Sequence, residues 1–181
     1  YSDYLEIGCD QDQLFSKVKI QNKIGVDPVS GGNIRKTSDD FFKENNKKFD
    51  IIFIDGLHTY EQVKKDILNS ADSLKENGII LVHDCMPDSL SKQAVPRYRM
   101  IWNGDVWKAI VDLRQNNNLE IYTCEMDQGI GIIKKNKNFS KLVWFHGSSV
   151  GEILSIIPLI EKLENKNEIK KILVTSNTLS S

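Results

Sequence analysis

Two stretches decide the architecture: Phe49-Asp50-Ile51-Ile52-Phe53-Ile54-Asp55-Gly56-Leu57-His58-Thr59-Tyr60 and, further on, Gly78-Ile79-Ile80-Leu81-Val82-His83-Asp84. Each holds a continuous apolar run that stops abruptly on polar residues. A strand with one face in water alternates apolar and polar side chains, whereas a strand buried on both faces does not. These two runs therefore read as central strands of a parallel sheet covered by helices. Between them, Tyr60–Asn77 carries Val63, Ile67, Leu68, Ala71 and Leu74 at helical spacing, so a helix is expected to join the strands.

The same pattern extends outward. Further strand-like runs lie at Tyr4–Gly8, Lys23–Asp27, Leu119–Cys124, Gly129–Lys134, Lys141–His146 and Lys171–Thr175. Helical spacing recurs at Val106–Gln115 and Ile153–Leu163, with room for a short helix around Leu14–Val18 and a weak strand before Ser38. Strand–helix alternation predicts an open, doubly wound, mostly parallel Rossmann-like α/β sheet. A tight turn at Met126-Asp127-Gln128 predicts that the runs on either side pair antiparallel. The polar break Asn136-Lys137-Asn138-Phe139-Ser140 precedes a fresh strand, which divides the chain into residues 1–137 and residues 138–181. The second part is one strand–loop–helix–strand unit, a truncated βαβ piece of another Rossmann-like domain.

Composition narrows the function. The 181 residues are 40% hydrophobic and 27% charged, as expected for a folded globular protein. Lys+Arg 24 against Asp+Glu 25 leaves a net charge of -1, which excludes a bulk electrostatic grip on nucleic acid or a polybasic membrane patch. No apolar run approaches a membrane span. Cys9, Cys85 and Cys124 are scattered and form neither a metal spacing nor a disulfide framework, so a reducing cytoplasm is the expected location. The chain opens at Tyr1, places its first Met at Met86 and enters a strand almost at once, so both ends read as cut from a longer reading frame.

In open α/β sheets, ligands bind beyond the carboxyl ends of the strands. The first strand ends Glu6-Ile7-Gly8-Cys9-Asp10, and the second ends in Asp27. A glycine permits close approach to the backbone. An acidic residue about 20 positions beyond such a glycine is placed for ribose hydroxyls. The loop after Gly8 carries Asp10 and Asp12 and no second glycine. That charge opposes a phosphate and tolerates a cationic ligand. The two central strands end in Asp55 and Asp84, with His58 and His83 close by. Carboxylate oxygens suit Mg²⁺ or another divalent cation, and an imidazole beside them is a candidate general base. Each acid taken alone also reads as a helix cap or turn residue.

Taken together, residues 4–135 resemble the class I S-adenosylmethionine-dependent methyltransferases. The subgroup they resemble acts on sugar or small-molecule hydroxyls and carries Asp-Gly-x-His-x-Tyr after its central strand, here Asp55-Gly56-Leu57-His58-Thr59-Tyr60. Asp66, Leu74-Lys75-Glu76-Asn77-Gly78, Gly104-Asp105-Val106-Trp107-Lys108 and Asp127–Gly131 resemble further blocks. The resemblance implies S-adenosylmethionine as cofactor and a small-molecule or sugar substrate. Glu6 and Gly8 would line the methionine part of the cofactor, Asp27 would hold the ribose, and Ser38 and Asp39 would lie near the adenine. It also makes Asp55 a cofactor-side residue, Asp55 and Asp84 ligands of a divalent metal, and His58 or His83 the base.

The tail Leu142-Val143-Trp144-Phe145-His146-Gly147-Ser148-Ser149-Val150-Gly151-Glu152 is similar to the start of the 3-deoxy-manno-octulosonic acid (Kdo) transferases, which glycosylate lipid A at the inner membrane. By that resemblance Glu152 would be the base that activates an acceptor hydroxyl. A Ser cap and an acidic first helical turn account for the same residues without function. Three functions thus stand from the sequence: a small-molecule O-methyltransferase, a fragment of a lipopolysaccharide glycosyltransferase, and a degenerate Rossmann-like module without catalysis.

Overall fold

The computed structural model describes residues 1–136, the backbone strands at 142–147 and 171–176, and Pro158. Two compact units divide the chain, Tyr1–Asn136 and Lys137–Ser181.

The first unit is built on strands β1 (Asp3–Ile7), β2 (Asn22–Val26), β3 (Phe49–Ile54), β4 (Leu74–Val82), β5 (Leu119–Cys124) and β6 (Ile130–Lys135), with helices α1 (Ser38–Glu44), α2 (Tyr60–Asp72) and α3 (Val106–Leu113). The sheet order is β2-β1-β3-β4-β6-β5. The pairs β1–β2, β1–β3 and β3–β4 are parallel, and β4–β6 and β5–β6 are antiparallel. The expected hairpin at Met126–Gln128 forms, with the Gly129 N–H donating to Met126 O at 2.8 Å. The strand order reverses between β1 and β3, and a crevice opens at such a switch point.

The core follows from the apolar runs. Ile52 and Ile54 of β3 and Ile80 and Val82 of β4 are at most 1% exposed, and β6 adds Ile133 at 0%. Helix α2 buries Val63, Ile67 and Ala71, and α3 buries Val106, Ala109, Ile110 and Leu113. The two helices are tied by the Tyr60 hydroxyl, which donates to Asp112 at 2.8 Å, and by Lys64, which pairs with Asp112 at 2.7 Å.

Three expectations need correction. Helix α2 stops at Asp72, and β4 begins at Leu74 rather than Gly78. The strand is held there by its neighbours: Leu74 pairs with Phe49, and Lys75 pairs with Asp3 and Asp50 at 2.5 and 2.9 Å. The expected helix around Leu14–Val18 is a succession of turns, in which the Ser16 N–H reaches Asp12 O and the Val18 N–H reaches Leu14 O. The weak strand before Ser38 is reduced to a single parallel bridge between Val26 and Ile34.

In the second unit, β7 (Leu142–Gly147) and β8 (Lys171–Ser176) pair in parallel, with Leu142 opposite Lys171 and Gly147 opposite Ser176. Of the helix expected over Ile153–Leu163 only Pro158, which is helical, is described, and Glu152 lies outside the described residues. Among the described residues no helix is long and apolar enough to cross a membrane.

Candidate active site

A cavity of about 800 Å³ opens at the carboxyl edge of the sheet, over the switch point. Gly8, Asp27, Ser38, Asp39, Asp55, His58, His83 and Asp84 all line it. Of the cofactor residues expected from the sequence, Glu6 is the exception. It lies on the same face of β1 as Tyr4, because alternate strand residues share a face. Its carboxyl is 2% exposed and accepts the Tyr4 hydroxyl at 2.5 Å. Burial raises the Glu6 pKa, only partly opposed by that hydrogen bond.

Gly8 is required by the fold as well as by the cavity. Its φ is +84°, and a Cβ there would lie 2.2 Å from the Asp55 carbonyl oxygen. The loop after it is organised by Asp27. One carboxyl oxygen accepts the N–H groups of Cys9 and Asp10 at 3.0 and 3.1 Å, and the other accepts those of Val29 and Ser30 at 2.8 and 2.9 Å. Burial disfavours this charge, but the four donors outweigh burial and hold the carboxyl below its ordinary pKa. A carboxylate has about four lone-pair sites, so Asp27 is saturated by its own backbone. The loop also recruits glycines from outside its own segment: the Gly32 N–H donates to Asp12 at 2.6 Å, and Gly31 packs on Asp10. Nothing near Gly8 in the sequence announces that return.

At the α1 end, Gln62 donates to Ser38, Asp39 and Asp66 at 3.1, 3.0 and 3.1 Å. Asp66 is 1% exposed, and burial pushes its pKa up to about 6 against the hydrogen bonds of Ser38 and Gln62.

Asp55 and Asp84 close β3 and β4 and are bridged by both imidazoles. His58 Nε2 lies 3.3 Å from Asp55, and its Nδ1 lies 2.9 Å from Asp84 and 3.2 Å from Trp102 O. His83 Nδ1 lies 3.3 and 3.4 Å from Asp55 and Asp84, and its Nε2 lies 3.2 Å from Asp127. Every imidazole nitrogen therefore faces an acceptor, which favours the doubly protonated ring. Burial opposes the charge on His58, but Asp55 and Asp84 raise its pKa to about 9. The same two carboxylates raise His83 to about 11. Reciprocally, and against burial, the imidazoles hold Asp55 and Asp84 well below the carboxylate range.

Sequence reasoning passed over two neighbours of this cluster. Asn103, 0% exposed, donates from Nδ2 to Asp84 at 2.6 Å. Asp105 accepts the Tyr60 N–H at 2.6 Å and so caps α2 from a distant segment, where Asp55 was a candidate cap. On the outer wall Arg97 reaches the cavity, its guanidinium 5.8 Å from the Trp102 ring and donating to Arg99 O at 2.9 Å.

Comparison with known proteins agrees with the fold. The family profile described as a methyltransferase domain matches residues 22–85, which hold Asp27, Ser38, Asp39, Asp55, His58, His83 and Asp84. A second profile, that of the 3-deoxy-D-manno-octulosonic-acid transferases, matches residues 125–181. Its first residues include β6, which pairs inside the first unit's sheet. No curated protein sequence matches the chain. Among solved structures, the SAH-bound methyltransferase PaMTH1 of Podospora anserina is 17% identical, with a TM-score of 0.56 over 75% of this chain and 72% of that one. A protein of Staphylococcus aureus described as a caffeoyl-CoA O-methyltransferase is 16% identical, with a TM-score of 0.54 over 75% and 76%. DesVI of Streptomyces venezuelae is 12% identical, with a TM-score of 0.51 over 75% and 84%. Residues 1–136 therefore carry the Rossmann-like fold of the class I S-adenosylmethionine-dependent methyltransferases, and the chain runs on into a segment similar to the N-terminal domain of the Kdo transferases.

Proposed function

We propose that the first unit transfers a methyl group from S-adenosylmethionine to a hydroxyl of a sugar or similar small molecule, with a divalent cation held by Asp55 and Asp84. One observation carries this reading: two adjacent strand ends bring Asp55 and Asp84, with an imidazole between them, to the edge where Gly8 and Asp27 shape the cofactor loop. The cavity is of the size that small-molecule and cofactor sites occupy.

The residues fit the cofactor. S-adenosylmethionine supplies an activated methyl group on a cationic sulfonium. The carboxylates of Asp10 and Asp27 favour its positive charges. Ser38, Asp39 and Gln62 offer hydrogen-bonding groups for a purine at the α1 end. With its carboxyl filled by backbone donors, Asp27 shapes the ribose wall more than it binds a hydroxyl directly.

The residues also fit a cation. Asp55, His58 and Asp84 each offer a ligand atom, and these atoms lie within 4.8 Å of one another. The two carboxylates suit Mg²⁺ or Mn²⁺ and would hold it, which leaves the His58 imidazole to act as base. The cation would supply the positive charge that the imidazoles supply here, and would stabilise an acceptor oxygen as it loses its proton. His58 keeps Nδ1–H on Asp84 and Trp102 O, and takes the hydroxyl proton at Nε2 once Asp55 no longer occupies that nitrogen. His83, pinned by Asp127 as well, is the second candidate.

Calorimetry with S-adenosylhomocysteine tests the cofactor, and absence of binding rejects the reading. His58→Ala is expected to cut turnover by roughly 10²–10⁴-fold with little change in cofactor affinity, as for a lost general base. Near-parental turnover would move the role to His83.

A second reading applies to the second unit alone, and the match over residues 125–181 favours it. It is the start of a glycosyltransferase of the lipid A type, with Glu152 as base. Amplification across the junction from source DNA tests the join, and absence of a contiguous product defeats a true fusion.

A further inference from the structure

Asn103 has a place that neither packing nor the cavity explains. It is 0% exposed, and it lies behind Asp84 and outside the cavity lining. Its Nδ2 donates to Asp84 Oδ1 at 2.6 Å, while its own Oδ1 is buried without a hydrogen-bond partner among the described residues. A buried amide with one end unsatisfied is costly, and an apolar side chain of similar shape would fill the space without that cost. The bond to Asp84 is what the amide contributes.

Its mount is rigid. The N–H groups of Asn103 and Gly104 both donate to Lys92 O, at 2.9 and 3.0 Å. On either side, Trp102 O faces His58 Nδ1 at 3.2 Å, and the Asp105 N–H donates to His58 O at 3.2 Å. Gly104 sits so close that a Cβ would lie 1.7 Å from His58 O. The segment Trp102–Asp105 is thus locked onto the His58 loop. Asp84 needs such a brace: its backbone is left-handed, with φ at +62°, and its side chain stands at the end of β4.

We infer that Asn103 is a positioning residue that holds Asp84 Oδ1 from behind and so sets the orientation of a carboxylate whose Oδ2 lies 2.9 Å from His58 Nδ1, for a divalent cation that Asp84 and Asp55 would hold. The inference rests on the cation reading above. Groups that orient a metal-binding carboxylate typically account for 10–100-fold in metal affinity. Leucine matches asparagine in shape but cannot donate.

The test is Mn²⁺ binding to the full chain, monitored through the electron paramagnetic resonance of the free ion, for the parent, Asn103→Leu and Asn103→Ser. The expected result is a 10–100-fold weaker Mn²⁺ affinity in both variants, with S-adenosylhomocysteine affinity within about twofold of the parent. Equal Mn²⁺ affinity in parent and variants overturns the inference alone. A parent that binds no Mn²⁺ overturns the cation reading and the inference with it. If Asn103→Leu does not fold by circular dichroism, Asn103→Ser decides. Loss of fold in both makes Asn103 a structural residue and also overturns the inference.

Discussion

Gly8 faces the Asp55 carbonyl so closely that a Cβ would stand 2.2 Å from its oxygen, with Gly56 Cα at 2.6 Å. The Asp55 N–H donates to Ile7 O at 2.8 Å and ties this end of β3 to β1, while the Gly8 N–H donates to Val26 O at 2.9 Å and ties β1 to β2. Gly8→Ala meets a backbone wall and a left-handed φ at once. The left-handed backbone costs about 1–2 kcal/mol and the overpacking about 1–3 kcal/mol. Urea denaturation should show a loss of roughly 2–5 kcal/mol. A midpoint unchanged from the parent would mean that β1 and β3 are not held this tightly.

Asp27 makes a different prediction. Its four N–H donors come from both sides of the cofactor loop, two from Cys9 and Asp10 and two from Val29 and Ser30. In Asp27→Asn, an amide NH₂ replaces one acceptor oxygen and points donors at donors. Leaving such groups unpaired costs about 1–3 kcal/mol each. The variant should lose roughly 2–4 kcal/mol in urea denaturation. It should also bind S-adenosylhomocysteine more weakly, because the loop segments it organises line the cavity. Parental stability with lost binding would instead restore Asp27 to direct ribose contact.

These two residues show what the sequence made legible. Gly8, Asp27, Asp55 and Asp84 could be placed on one edge because continuous apolar runs such as Ile51–Ile54 and Ile79–Val82 identify central parallel strands, whose polar ends must share an edge. The partners of those residues were not legible. Asn103 lies in a polar loop, and only tertiary packing buries it against Asp84. Gly31 and Gly32 return to the Asp10–Asp12 loop across β2, a contact with no local signature. The start of β4 was hidden because Leu74 fits the helical spacing of α2. Pairing with Phe49 and the ion pairs of Lys75 with Asp3 and Asp50 override that local pattern.

Asp66 should leave a signature in the pH dependence of stability. Burial lifts its folded pKa to about 6 from an ordinary value of 3.8. Between those values the folded chain binds more protons than the unfolded chain, so stability falls as pH rises. The stabilising effect of the neutral carboxyl is complete below pH 3.8 and is lost as pH passes through about 6. Asp66→Asn stays neutral at every pH and keeps groups for Ser38 and Gln62. It should exceed the parent by on the order of 2–3 kcal/mol at pH 7.5 and match it near pH 4. Thermal or urea unfolding across that range checks this, and a difference independent of pH would contradict a buried neutral carboxyl.

The boundary between the two units yields opposite outcomes for two truncations. The Kdo-transferase match begins at residue 125, whereas the first compact unit runs to Asn136. The difference is β6. Ile80, Leu81 and Val82 of β4 pair with it on one side, and all of β5 pairs with it on the other. Ile133, at its centre, is 0% exposed. We propose that residues 1–136 fold independently of residues 137–181. A chain ending at Asn136 should unfold cooperatively in urea with native-like circular dichroism. A chain ending at Cys124 lacks β6, so β4 loses a neighbour, β5 has no partner, and an apolar sheet edge is exposed. Burial of side chains such as Ile133 contributes about 1.5–3 kcal/mol each, comparable to a sizeable share of a small domain's stability of about 5–15 kcal/mol. The shorter chain should therefore be unfolded or aggregated. Cooperative folding of the chain ending at Cys124 would assign β6 to the second unit, and failure of the chain ending at Asn136 would make the two units one cooperative domain.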